Sequence, residues 1–513
     1  MTMKIFLIYL SCFTLCCYAE QRSTLHINGT EGAGRKIPDT FFGAFFEEIN
    51  HAGAGGLWAE LVRNRGFEEG GSSVPSNIFP WTMVGDDSTI KISTDRSSCF
   101  DRNKVALRMD VLCDGPKSCP SDVLFAKASG AVDLQVSFVG SDNTELASNS
   151  IGSFGDNVTE WTRMETVLEA KATNHNASLQ ITTSKKGVLW LDQVSAMPVD
   201  TFKGHGFRKD LAQRVADLKP KFFRFPGGCY VEGGYMRNAF RWKDSVGAWE
   251  ERPGHFGDEA LDGLEFAKGS AKSKWGSLRA SMGHPDPFDL RIVAIGNEEC
   301  AMSKYRGNYL KFYDAIKQAY PDIQIISNCD ASQKPLDHPA DFYDFHVKTF
   351  LGIDIVHMVS YAPLFVNKND RRWTPDAIVF DSHQSYGTPS YWIQHIFSSS
   401  SGATLLDSSL ESSSDKIVAS AIEYRNPSEK KKYLRIKVVN FDSDPQKFRF
   451  CMDLKVKSYG ATKTVITGPN VKEENSFSEP NRIVPQHTSL QNPTSDMTLI
   501  LPPYSFSSFD LLI

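Results

Sequence analysis

The sharpest chemistry in this chain sits where apolar runs end in polar residues. RIVAIGNEE, residues 291–299, is an apolar strand that ends at Gly296 and then presents Asn297 and Glu298. At the carboxyl end of a parallel strand, such residues face the same space as those of neighbouring strands. An amide beside a carboxyl group suits glycoside hydrolysis: the amide holds a sugar hydroxyl and the carboxyl acts as general acid. The plainer alternative is a polar turn with Glu298 solvated. FFGAFFEEINHAGAGG, 41–56, repeats the pattern, delivering Glu47 and Glu48 ahead of a glycine-rich loop that lets backbone approach a ligand. KFFRFPGGCYVEGG, 221–234, does so again, with a Pro226-Gly227-Gly228 turn before Cys229, Tyr230 and Glu232. Singly, each is equally a tight strand-to-helix turn that needs glycine. Together they point to a sugar-sized pocket.

The elements that must position these residues change character along the chain. Between about 80 and 198, segments such as TIKIS, KVALRMDVL, AVDLQVSFVG and GVLWLDQVSAMP alternate apolar and polar residues, the period of an all-β sandwich. From 207 to about 397, strands alternate with helical stretches. Residues 306–320 place Tyr309, Phe312, Tyr313, Ile316 and Tyr320 on one helical face, and Pro321-Asp322 stops the helix. With RIVAIG before it and IQIIS after it, this is a strand–helix–strand unit, the building block of a parallel sheet. Serine-rich stretches at 398–401 and 408–414 read as a loop or linker. β alternation then returns in YLRIKVVNF, and the chain ends in the strand-like SFSSFDLLI. The expected fold class is multidomain, α/β plus all-β.

Composition narrows the function classes. A chain of 513 residues suggests two to four units. With 41% hydrophobic and 23% charged residues, disorder over most of it is excluded. Lysine plus arginine is 56 against 61 aspartate plus glutamate, which argues against nucleic acid as a partner, since that needs a basic footprint. Lys4, the apolar run 5–17 and the small residues of Cys17-Tyr18-Ala19 read as a signal peptide over 1–19, the alternative being a buried N-terminal helix. The run is short for a ~30 Å hydrocarbon core, and no later stretch suits a membrane helix, so a secreted, soluble chain without membrane contact is expected. The sequons at Asn28, Asn157 and Asn176 agree as glycosylation sites. Of ten cysteines, Cys12, Cys16 and Cys17 leave with the signal; Cys113 and Cys119 could close a short loop. Cys229, Cys300 and Cys329, at predicted strand ends, are expected as free buried thiols. No spacing resembles a metal site, and no metal or cofactor is expected.

At this point the residues resemble a known family. FFGAFFEEINHAGAGGLWAELV, FRFPGGCYVEGG, WEERPGHFGD, GNEEC, YRGNYLKFYDAIK, ISNCD, SYAPLFVN, NDRRWTPDAIVF and YGTPSYW are similar to the plant-type α-L-arabinofuranosidases of glycoside hydrolase family 51. The resemblance runs from about Asp39 to the C-terminus. It implies a (β/α)8 barrel with an inserted carbohydrate-binding-like β sandwich and a C-terminal β sandwich. The implied divisions are a first barrel segment at 36–75, the inserted sandwich at 76–200, the barrel proper at 203–397 and the C-terminal sandwich at 403–513. It also implies retaining hydrolysis of terminal non-reducing arabinofuranosyl residues from arabinans, arabinoxylans or arabinogalactans, hence arabinose-containing polysaccharides as partners and the extracellular matrix or cell wall as location. By motif match, Glu298 takes the acid/base role, Asn297 holds a sugar hydroxyl, Glu47 lies in the pocket, and Cys229 falls where the family puts Asn or Cys against the sugar. The oligomeric state is left open.

The chain departs from the family in three places. A retaining mechanism needs a second carboxylate ~5–5.5 Å from the first as nucleophile. The family supplies a glutamate at the end of the seventh barrel strand, but after Glu299 no glutamate occurs until Glu411. The predicted strands 342–347 and 353–360 are separated by only 348–352, too short for a parallel crossover, so they could at most form a hairpin. Lys348 stands where the family motif around His346 has a tyrosine. A second gap follows WEERPGHFGD, where Asp258 runs straight into a helix-like stretch, and the first sandwich looks shortened after Cys119. Six barrel strands are countable where eight are needed, so an incomplete barrel is expected. Either another carboxylate (Asp330, Asp344 or Asp354) replaces the nucleophile, or the chain is a non-catalytic secreted sugar binder or truncated isoform.

Overall fold

The computed structural model describes residues 22–30, 32–68, 77–84, 88–97, 100, 103–112, 125–129, 132–154, 159–232, 241–248, 251, 260–329, 336–346, 356–426 and 428–513. The leader 1–19, Asn157, Cys113, Cys119, Asp258, Asp330, Lys348 and Asp354 lie outside them. No helix among the described residues is long and apolar enough to cross a membrane.

The alternating segments after residue 80 form two facing antiparallel sheets. One orders Ile90–Asp95, Ala106–Val111, Gly187–Asp192, Phe125–Ser129 and Thr162–Arg163; the other orders Ala177–Thr183, Val132–Gly140 and Glu145–Phe154. Leu107, Met109, Leu189 and Leu191 point inward from the first and Leu134, Val136 and Ile181 from the second, sharing one buried core. Alternation at period two puts every other residue in that core.

The C-terminal region is a second pair of sheets, and it recruits the N-terminus. Seven strands run in the order Arg35–Lys36, Thr404–Leu405, Ile417–Arg425, Lys432–Asn440, Ser505–Leu512, Ala461–Thr467 and Gln486–Leu490. Facing them, Arg22–Ile27 lies between Ser408–Glu411 and Gln446–Met452, with Asp496–Leu501 outermost. Leu25 and Ile27 are both 1% exposed in a core with Leu434, Ile436, Phe448, Phe450 and Phe509. Part of the serine-rich stretch is therefore strand rather than linker: Ser408–Glu411 pairs antiparallel with the N-terminal strand, Leu25 opposite Leu410. Residues 398–401 end the helix Pro389–Ser398, whose Phe397 packs against Phe506 of the large sheet.

The six strands expected of the α/β region are present, in two separate three-stranded parallel sheets. Phe42–Phe45 lies between Phe223–Arg224 and Val359–Tyr361. Gln324–Ser327 lies between Ile292–Ile295 and Phe342–Tyr343. A closed barrel is not formed by the described residues. The two strands too close in sequence for a parallel crossover do not pair with each other: Phe342–Tyr343 and Val359–Tyr361 lie in different sheets, each against a parallel partner that satisfies its backbone. The crossover helix Tyr305–Ala319 buries Tyr305, Tyr309 and Ile316, with Tyr313 and Tyr320 packed alongside. Phe312, expected on that face, is exposed because the buried stripe leans to the other side of the helix. Further exposed rings are Phe223 and Tyr343 on two of these strands and Phe225 and Phe345 just past them.

Candidate active site

The carboxyl ends of the parallel strands bring the polar residues together. Past Ile292–Ile295 the chain turns through Gly296 (φ +86°) and Glu298 (φ +56°), which sends Asn297 inward to 5% exposure and leaves the Glu298 side chain 55% exposed. Arg224, at the end of the strand Phe223–Arg224 in the other parallel sheet, donates from Nη2 to Asn297 Oδ1 at 2.8 Å and from Nη1 to Asp344 Oδ2 at 3.0 Å. His346, two residues past Asp344, bridges the carboxylates: its Nδ1 is 2.7 Å from Glu298 Oε1 and its Nε2 2.9 Å from Asp344 Oδ2. Cys229, at the start of the short helix Cys229–Glu232, donates its thiol to Glu298 Oε2 at 3.6 Å and accepts from Asn297 Nδ2 at 3.7 Å.

Glu47 joins this group through the Pro226-Gly227-Gly228 turn. A Cβ on Gly228 would lie 3.1 Å from Asn297 Oδ1 and 3.2 Å from Glu47 Oε2, so the turn threads between the two side chains. The loop that carries Glu47 is anchored by the buried Asn50, which donates to Asp376 Oδ1 at 3.0 Å and accepts from the backbone of Arg372 and Trp373. Of the glycines that follow, Gly55 is exposed and left-handed, whereas Gly53 and Gly56 pack against the loop itself. The space a Cβ would take on Gly53 is filled by the Glu48 carboxylate, and on Gly56 by Ala52 and Phe380.

Electrostatics separate the titratable groups. The hydrogen bond to Asp344, opposed by burial and helped by the Asp344 and Glu298 carboxylates, pushes His346 up to about 9. It therefore stands as an imidazolium between two acids at neutral pH. Burial works against the Asp344 carboxylate, yet the hydrogen bond from His346 and the charge of Arg224 hold it below its ordinary range. Burial pushes Glu48 up to about 7 despite an N–H from Gly53.

The structure thus gathers Glu298, Asn297, Glu47 and Cys229 in one place, together with Asp344. The side chains of Tyr230 and Glu232 fall outside the described residues. The sequence reading assigned no role to Arg224 or Glu299, and none from pairing to His346. The signal for Arg224 was available: an arginine inside the apolar run FFRFP needs a buried partner. The cysteine expectation is corrected. Cys300 and Cys329 form a disulfide with Cα atoms 5.2 Å apart, and Cys229 is a free but exposed thiol. The parallel register of Ile295 with Ser327 delivers the two chain ends side by side, which sequence separation alone does not reveal. Among the described residues no group of three His, Cys, Asp or Glu is arranged to hold a metal. Asn28 and Asn176 are both exposed.

Comparison with known proteins supplies the family. The α-L-arabinofuranosidase 1 domain model matches residues 214–258 and 255–370, and the α-L-arabinofuranosidase C-terminal domain model matches 353–505. The two pieces of the first match adjoin at Asp258, where the sequence shows a gap. Alpha-L-arabinofuranosidase 1 of Arabidopsis thaliana is 49% identical over 618 residues, covering 95% of this chain and 91% of the relative. Alpha-L-arabinofuranosidase 2 of the same plant is 47% identical, covering 97% and 93%. An alignment of 618 positions exceeds the 513 residues of this chain, so more than a hundred positions of it have no residue here. The fold matches that of an arabinose-bound MgGH51 α-L-arabinofuranosidase with a TM-score of 0.83, at 24% identity, over 95% of this chain and 100% of that one. The chain belongs to the α-L-arabinofuranosidase family.

Proposed function

We propose that this chain recognises terminal non-reducing α-L-arabinofuranosyl residues of cell-wall arabinans, arabinoxylans or arabinogalactans, and that Glu298 is the acid/base of their retaining hydrolysis. The observation that carries this reading is the convergence of Glu298, Asn297 and Glu47 at the carboxyl ends of parallel strands. Asn297, its amide oxygen held by Arg224, and Glu47 hold sugar hydroxyls. Glu298, exposed on one side, protonates the departing glycosidic oxygen as a second carboxylate bonds to the sugar carbon, and then takes a proton from the water that displaces that carboxylate. The six parallel strands are read as a (β/α)8 barrel that lacks its third and seventh strands. The breaks fall between Phe223–Arg224 and Ile292–Ile295, and between Phe342–Tyr343 and Val359–Tyr361, as that loss requires. The leader at 1–19 and glycans on Asn28, Asn157 and Asn176 belong to the same proposal, as marks of a secreted glycoprotein.

A second reading, binding without turnover, has its own observation. The described carboxylate that His346 links to Glu298 is Asp344, and it is engaged by both Arg224 and His346. The imidazole ring stands between the two acids, whereas a retaining pair needs ~5–5.5 Å of open space between them for the sugar carbon. Assay of the mature chain on an aryl α-L-arabinofuranoside beside Glu298→Ala separates the readings. Turnover abolished by the substitution supports hydrolysis. Soluble, folded chain that binds arabinofuranosyl ligands yet releases no aryl alcohol supports the binder.

A further inference from the structure

The turn that presents Glu298 is tied to the next strand twice. Its backbone is left-handed at Glu298, a conformation that a non-glycine residue keeps only when its surroundings hold it. The first tie is polar: Glu299 Oε2 accepts from the Asn297 backbone N–H at 2.8 Å and from Asn328 Nδ2 at 3.1 Å. The second is covalent, the Cys300–Cys329 disulfide. Both land on consecutive residues, Asn328 and Cys329, just past the strand Gln324–Ser327. Beneath them Tyr305 places its hydroxyl 3.3 Å from Ile295 O and 3.2 Å from Ser327 Oγ, so the strands themselves are already fastened without the disulfide. The covalent tie therefore acts on the turn more than on the sheet. Cys329 is fully buried, while Cys300 is partly exposed and is the sulfur that a dissolved thiol meets first.

We propose that the Cys300–Cys329 bridge is a redox-sensitive clamp on the turn that carries Glu298, with Glu299 as the positioning residue that backs it up. The proposal rests on the reading of Glu298 as acid/base. A dithiol opens the clamp: its thiolate attacks Cys300 Sγ, the S–S bond breaks and Cys329 leaves as thiolate. The second thiol of the reagent then displaces Cys300 and closes its own disulfide. Two electrons and two protons pass from the dithiol to the bridge, leaving two cysteine thiols. In the reduced chain only the Glu299 carboxylate holds Asn297 and Glu298 against Asn328.

Hydrogen–deuterium exchange of the full mature chain tests this without relying on turnover. It compares oxidised and dithiothreitol-reduced protein as wild type, Glu299→Ala and Glu299→Gln. Reduction should speed exchange at residues 297–302 roughly tenfold, while strands Ile292–Ile295 and Gln324–Ser327 keep their protection. Glu299→Ala should speed exchange of the Asn297 amide, whose acceptor it removes, in both forms, and add a further large increase across the rest of the turn only in the reduced protein. Glu299→Gln, whose amide oxygen still accepts both bonds, should restore most of the protection. Unchanged exchange in the turn on reduction would overturn the clamp, and so would a rise across all strands, which would make the bridge a fold staple. L-arabinose affinity, read on the same samples, tests the underlying function separately. A turn that loosens as expected in a protein that binds no arabinose when oxidised would sink the role given to Glu298 and, with it, the redox control of that role.

Discussion

Replacing Asp344 with asparagine should return His346 to ordinary behaviour. The imidazole is held at about 9, against an unperturbed 6.5, first through its hydrogen bond to Asp344. At 1.36 kcal/mol per unit, that displacement corresponds to at most roughly 3.4 kcal/mol of preference for the charged form. The ring is 40% exposed, so solvent screens the interaction, and about 1–2 kcal/mol is the expected share of folding stability. Because the folded chain binds this proton more tightly than the unfolded one, the contribution is complete below pH ~6.5 and disappears as pH rises through ~9. Wild type should therefore lose stability across that window, and Asp344→Asn should be nearly flat there, starting lower at pH 6. The amide oxygen of the variant still accepts from Nε2, so the loss isolates charge rather than shape. Urea midpoints at pH 6 and 9 measure the stability. A histidine Cε1–H titration by NMR measures the proton directly, and a His346→Gln sample assigns the resonance among the twelve histidines. If His346 in wild type titrates near 6.5, the bridged geometry at the site is wrong.

Two further predictions follow from packing. Gly228→Ala sets a methyl group 3.1 Å from Asn297 Oδ1 and 3.2 Å from Glu47 Oε2, so both oxygens must move a few tenths of an ångström. Arabinose affinity should fall about tenfold with little change in melting temperature, and unaltered affinity by calorimetry would remove Glu47 and Asn297 from the binding role. Leu25→Ala empties a fully enclosed position in the C-terminal sandwich and should cost about 2–5 kcal/mol in urea unfolding. A loss below ~1 kcal/mol would mean that the N-terminal strand is not seated there.

What the sequence revealed and what it hid divide along local and non-local physics. RIVAIG, KFFRFP and IQIIS are legible as strands because an apolar run bounded by glycine, proline or asparagine carries its own signal. Asn297 and Glu298 are legible as candidate site residues because polar groups closing such a run need a partner, whether solvent, a ligand or, for Asn297, Arg224. Arg22–Ile27 is a different case. Six ordinary residues become a core strand only because Phe448 and Phe450, more than 400 positions later, offer a partner edge in parallel register. The disulfide is hidden for the same reason. Cys300 and Cys329 are 29 residues apart, and only the pairing of their two strands makes them neighbours. The bridge from Glu298 through His346 to Asp344 belongs here too, since it joins residues 48 apart through side-chain rotamers that no periodicity encodes.

The glutamate that the family resemblance leads one to expect on a seventh strand has no counterpart between Glu299 and Glu411, and the proposed barrel gives that gap a location. In the proposed barrel, the first and eighth strands pair and the fourth, fifth and sixth pair, so chain order alone assigns both vacant places. The groups proposed to hold sugar and to exchange protons lie at the ends of strands that remain: Glu47 on the first, Arg224 on the second, Asn297 and Glu298 on the fourth, Asp344 and His346 on the sixth. The seventh place would stand next to Asp344, and Arg224 reaches toward that side. The guanidinium and the imidazolium both engage Asp344, and their two positive charges are met by its one carboxylate and by Glu298. A carboxylate restored between residues 347 and 353 should draw Arg224 away from Asp344. With the Arg224 charge, which works against the imidazolium, drawn away and a carboxylate added, His346 should stay at about 9 or above, and turnover of an aryl α-L-arabinofuranoside should appear or rise. A chain so restored in which His346 titrates near 6.5 would show that the imidazole no longer bridges Asp344 and Glu298.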